Sequence, residues 1–168
     1  MSTTENEQTP ARAATGRPSV YAWAGQEAAF QRLTEVFYGH VLQDPLLAPV
    51  FAGMDAEHPR HVAQWLAEVF GGPADYSAHR GGHAHMASRH LGRAITEAQR
   101  RRWVTLLMDA ADEVALPSDP EFRAVFAYYI EWGSRMALIY SGESPPPVAE
   151  AAMPHWDWNQ TPPYQPGG

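Results

Sequence analysis

The chain has 168 residues, 45% of them hydrophobic, enough for one domain with a buried core. A formal net charge of -7 disfavours nucleic acid and anionic membrane surfaces as partners. With no cysteine, disulfides, zinc–cysteine sites and thiol chemistry are excluded, and because all twelve basic residues are arginine, so is lysine chemistry.

Residues 1–19, MSTTENEQTPARAATGRPS, are polar and have no apolar centre of a signal peptide. They are expected to be a disordered extension, and the protein to be cytoplasmic. From about 25 to 43, Phe30, Leu33, Phe37 and Val41 recur at helical spacing and stop at Asp44-Pro45. A turn, PLLAPVF, follows. Asp55 is placed to cap the next helix, Pro59 sits in its first turn, and Val62, Trp65, Leu66, Val69 and Phe70 share one face. Gly71-Gly72-Pro73 ends it.

Residues 74–94 break the pattern. They hold three glycines and four histidines with little periodicity, and read as loop with one short helix over 84–90. Thr96 and Gln99 form a capping box that opens a helix striped by Trp103, Leu106, Leu107, Ala110 and Val114. Arg100, Arg101 and Arg102 read as its solvated face. Asp119-Pro120-Glu121 starts the last long helix, which carries Phe122, Val125, Phe126, Tyr129, Met136 and Tyr140. From Ser144 the chain holds seven of its fifteen prolines, so an extended tail is expected. No segment alternates with period two. The reading is an all-α domain of about five helices over residues 20–143, between a disordered stretch (1–19) and a proline-rich tail (144–168) that adds nothing to the core.

A long loop inside a compact helical domain needs something to pack against, and a planar cofactor would supply it. In chain order, F37-Y38, L46-L47-A48-P49-V50-F51, F70-G71-G72-P73, Y76-S77, R80-G81-G82-H83, R89-H90, W103 and E131-W132-G133-S134-R135 stand at telling distances. Across residues 23–141 this pattern resembles that of the group II truncated haemoglobins.

The resemblance implies a shortened globin fold, two helix pairs crossed over a haem b, with most of the proximal helix replaced by loop. It makes His90 the iron ligand and sets Arg89 beside it for a haem propionate, as guanidinium suits carboxylate. On the opposite face it implies Tyr38 and Trp103 as hydrogen-bond donors to a gas ligand carrying partial negative charge, Trp103 being the stronger. His58 falls nearest that ligand, either lining the pocket or ligating iron itself. Phe51, Val62, Trp65, Tyr76 and Met86 are implied cofactor neighbours. The implied activity is reversible binding of dioxygen, nitric oxide and carbon monoxide. It leaves open nitric oxide dioxygenation or peroxidase-like chemistry, either of which needs a separate reductase, and oxygen transport, storage or sensing without turnover. A homodimer is also open.

The sequence departs from the family pattern in places. Val62 is apolar where some relatives are polar, and His58 is bulkier than usual. One extra residue lies between Pro73 and His90. Gln26 stands where a second glycine is frequent, a change expected to have little consequence. Two rival readings have no haem. In one, His79, His83, His85 and His90 hold zinc or nickel, although no H-E-x-x-H pattern supports it. In the other, the domain is a helical interaction module without cofactor.

Overall fold

The computed structural model describes residues 17–148 and 153–158. Among these, eight helices and no strand form the fold. They are α1 (Val20–Ala24), α2 (Gln26–Val41), α3 (Ala48–Phe51), α4 (His58–Val69), α5 (Asp75–Arg80), α6 (Gly82–Ser88), α7 (Glu97–Glu113) and α8 (Pro120–Ser141). The all-α expectation holds, with the count raised by three short helices.

The long helices begin where capping chemistry permits. Thr96 and Gln99 make the expected capping box of α7, and the Asp119 carboxylate accepts the Phe122 N–H at the start of α8. Helix α4 differs from expectation, starting at His58 rather than at Asp55. The Asp55 carboxylate instead accepts the Glu57 N–H at 2.7 Å, closing a turn ahead of the helix. Helix α1 was not foreseen: five residues carry no periodicity, and it is Ser19 that caps them.

The stretch 74–94 is also more helical than expected, folding as α5 and α6 rather than one helix over 84–90. Gly81, at φ 90°, lets the chain turn left-handed between them.

Two helix pairs, α2 on α4 and α7 on α8, are joined where α2 crosses α7. Phe30, Leu33, Phe37 and Val41 of α2 are fully buried at the centre. Each contributes about 1.5–3 kcal/mol relative to exposure. Helices α4 and α8 meet through large side chains: Phe70 lies 5.7 Å from Phe126 and 5.4 Å from Tyr129 between ring centroids. Gly72 permits the close return after α4, since a Cβ there would lie 2.7 Å from both the Ala67 carbonyl oxygen and the Tyr21 ring.

Three expectations need correction. Gln26 adopts φ 62°, a left-handed conformation that a side chain strains, so the missing glycine does have a consequence. Arg100 is 5% exposed and buried between α7 and α8, where it pairs with Glu97 and Glu131 and donates to Ser134, while Arg102 pairs with the buried Asp44. The run is therefore one tie from α7 to α8 and one from α7 to the turn after α2, beside exposed Arg101. Finally, Trp156 belongs to the core at 2% exposure, because residues 153–158 return across the helices. Residues 1–16, 149–152 and 159–168, on which the expectations of a disordered extension and an extended tail mostly fall, lie outside the described residues. No helix among the described residues is long and apolar enough to cross a membrane.

Candidate functional site

Tyr38, His58, Trp103 and Phe51 come together although they stand on four different helices. The Tyr38 side chain is 3% exposed, and its hydroxyl lies 3.0 Å from His58 Nε2. Trp103 donates its indole N–H to the same hydroxyl. Phe37 fixes the tryptophan from the side, ring to edge at 5.1 Å, and Phe51 lies 5.6 Å from Tyr38 and 6.1 Å from His58. Val62, one turn after His58, packs against the core.

Burial pushes the Tyr38 phenol well above its ordinary pKa, so it keeps its proton. Burial, reinforced by the charges of Arg89, His61, His90 and Arg93, pushes His58 down to about 4, so its imidazole is neutral near pH 7. The three polar groups are thus uncharged and joined through one oxygen. The Trp103 N–H and the Tyr38 hydroxyl are thus linked by one hydrogen bond.

His90 stands just after α6. Its Nδ1 lies 2.9 Å from the Met86 carbonyl oxygen. A carbonyl only accepts, so Nδ1 carries the proton and Nε2 keeps a bare lone pair. Burial lowers the His90 pKa, keeping the ring neutral. Among the described residues no hydrogen bond reaches Nε2. This is the tautomer a metal-binding imidazole requires, with its second nitrogen anchored by a backbone carbonyl. The His90 charge also acts on His58.

Trp65, 6% exposed, forms the next wall. Its indole N–H donates to the Tyr129 hydroxyl at 2.6 Å, Tyr76 meets it edge-on at 5.1 Å, and His83 stacks at 6.0 Å. His83 Nδ1 is buried with no hydrogen-bond partner, the kind of orphaned group that calls for an explanation. Met86 contributes both its carbonyl and a side chain packed on the core. Arg89 is exposed and has no carboxylate partner among the described residues, yet its charge acts on His58, Tyr76 and His90. An apolar wall of Phe51, Val62, Trp65 and Met86, a bare imidazole nitrogen and a free guanidinium fit an iron porphyrin with acidic side groups.

The rival metal reading finds no support. No group of three or more histidine, cysteine or acidic side chains among the described residues is placed to hold an ion. His79 Nδ1 turns to the Asp75 carbonyl and His83 stacks on Trp65, so the four histidines do not converge.

Sequence reasoning missed Glu68. This carboxylate is 2% exposed and accepts the Ser77 N–H at 2.9 Å and its hydroxyl at 2.5 Å, tying α4 to α5. An acidic residue between Leu66 and Val69, on an otherwise apolar face, was the available signal. Tyr129 was read as core alone, and its hydroxyl contact with Trp65 had no signal at all.

Residues 19–125 match the sequence pattern of the bacterial-like globins. The group 1 truncated hemoglobin GlbN of Nostoc sp. (strain MUN 8820) is 29% identical over 89 residues, covering 46% of this chain and 75% of that protein. The truncated oxygen-avid haemoglobin of Bacillus subtilis superposes with a TM-score of 0.64 at 30% identity, covering 72% of this chain and 99% of that one. The group II truncated hemoglobin of Bacillus anthracis, at 23% identity, shares the fold with a TM-score of 0.66 over 81% of this chain and 99% of its own.

Proposed function

The chain belongs to the bacterial-like globin family, and on that premise we propose that it holds haem b through His90 and binds dioxygen, nitric oxide or carbon monoxide opposite it. The observation that carries this reading is the His90 tautomer: the proton sits on Nδ1 toward the Met86 carbonyl, which leaves the Nε2 lone pair bare. When bound, the haem supplies an iron with one position left for a gas molecule. Arg89 is suited to a propionate, and Phe51, Val62, Trp65, Tyr76 and Met86 exclude water from the macrocycle.

Opposite His90, Tyr38 is the donor best placed to meet the gas. Trp103 fills one lone pair of the Tyr38 oxygen, and His58 in its Nε2–H form fills the other. The phenolic proton then has no internal acceptor and turns into the pocket. His58 thus lines and orients the pocket, and its neutrality near pH 7 keeps charge away from the ligand. A hydrogen bond of this kind to a partly charged ligand contributes about 1.5–3 kcal/mol, roughly ten- to a hundredfold in dissociation rate.

Slow release suits chemistry better than transport, and favours nitric oxide dioxygenation or a peroxidase-like reaction over storage or sensing. Nitric oxide, dioxygen and one electron together make nitrate, so turnover draws on a separate electron donor. Visible spectra of the ferric, ferrous and CO-treated protein test the reading. A Soret band that shifts on reduction and again on CO addition is expected, and a purified chain that takes up no haem would falsify it.

A further inference from the structure

We propose that residues 153–158 are a strap that holds the Trp65 wall of the haem pocket from behind, with Trp156 as its positioning residue. The inference rests on the haem reading above and concerns a part of the chain beyond the family-matched residues 19–125.

Three kinds of contact build the strap. The Trp156 N–H donates to the Val69 carbonyl at 2.7 Å, at the C-terminal end of α4. Its ring enters an aromatic group on α8, 4.8 Å from Tyr128, 5.4 Å from Tyr129 and 5.6 Å from Trp132. Pro154 is buried beside it, and Met153 packs on the same core. The far end is tied to the start of the chain. The Trp158 indole N–H donates to the Pro18 carbonyl at 2.8 Å, the Arg17 guanidinium lies 3.7 Å above the Trp158 ring, and Trp23 meets that ring edge-on at 6.2 Å.

The strap therefore bridges α4 and α8 at the point where those helices meet through side chains rather than close backbones. Tyr129 relays its effect. That ring meets Trp156 in an edge-to-face arrangement, while its hydroxyl accepts the Trp65 indole N–H at 2.6 Å. Without Trp156, Tyr129 is free to move toward the space left behind, and Trp65 loses its fixed acceptor. Trp65 then no longer presents a set face to the macrocycle, and the pocket loosens on one side.

Haem transfer from the loaded full-length protein to excess haem-free myoglobin reads this out, alongside thermal melting of the haem-free chain. Trp156→Ala should speed haem loss at least about tenfold and Trp156→Phe about two- to fivefold, in the order of the ring volume removed. If the alanine variant does not fold, the phenylalanine variant decides. Tyr129→Phe removes only the hydroxyl, and its effect combined with Trp156→Ala should fall short of the product of the two. As a control, Leu116→Ala, in the α7–α8 turn, lowers the melting temperature without hastening haem loss. Haem loss within twofold of the parent in both Trp156 variants overturns the strap even if they melt earlier, as does strict multiplication with Tyr129→Phe. A parent chain that takes up no haem overturns the functional reading as well.

Discussion

The two sides of the site are built differently. Tyr38, His58 and Trp103 stand on helices of 16, 12 and 17 residues, whereas His90 follows helices of 6 and 7. Helices below about 12–15 residues do not persist alone, so the proximal side is held by its neighbours. Glu68 anchors α5 through Ser77. The Ala94 N–H reaches the Ser141 carbonyl at 3.0 Å, and the Ile95 N–H reaches the Ser141 hydroxyl at 3.1 Å. Ala87 of α6 packs against Met136 and Tyr140. Tyr38, His58 and Trp103 thus share the rigidity of the core, while His90 is positioned by a handful of contacts made at a distance in sequence.

The comparison can be broken most severely at His90. His90→Ala should abolish stable haem uptake, seen as a missing Soret band, because it removes the proposed iron ligand, and the other unpartnered imidazole nitrogen, His83 Nδ1, belongs to a ring stacked on Trp65. An unchanged band moves the ligand elsewhere. Next comes the tie that holds the proximal side. Glu68→Ala strands two part-buried donors of Ser77 and should cost about 2 kcal/mol, several degrees in melting temperature. Haem affinity should fall with it, while a surface change such as Arg60→Ala does neither.

The distal side is sharpened by smaller effects. Tyr38→Phe and Trp103→Phe should each speed dioxygen release about tenfold, with a double variant well short of a hundredfold because they share one hydroxyl. Stopped-flow rates decide it, and full multiplicativity would make the two donors independent. The smallest effect lies outside the site. Gln26→Gly should stabilise the chain by about 1 kcal/mol by relieving its left-handed backbone, and a loss on chemical denaturation would show that the side chain offsets the strain.

The same contrast explains what was legible in the sequence. Long helices announce themselves by periodic apolar residues and by caps, so α2, α4, α7 and α8 were visible, as was the family to which the chain belongs. Tyr38 and Trp103 stand on those helices, so the family spacing that singles them out is carried by regular structure, whereas His90 is singled out by its place after the glycine-rich stretch. Helices α1, α5 and α6 were missed or misplaced because their stability comes from Ser19, Gly81 and Glu68 rather than from a stripe of their own. Arg100 looked solvated because a run of three arginines says nothing about which one turns inward toward Glu131. Trp156 lay hidden for a different reason. Prolines around it signalled an extended chain, which is compatible with a segment lying flat across α8, and extension was mistaken for detachment.

The bond from His90 to Met86 has a consequence for electron flow. Its acceptor is main chain, so no substitution at residue 86 removes it. It is also uncharged, unlike a carboxylate, which would draw the Nδ1 proton away and give the imidazole anionic character. A neutral imidazole donates less electron density to a metal than an anionic ligand does, and strong donation is what favours cleavage of an oxygen–oxygen bond. On the haem reading proposed above, the bond therefore ranks nitric oxide dioxygenation, which keeps dioxygen whole until it meets its second substrate, ahead of the peroxidase-like reaction.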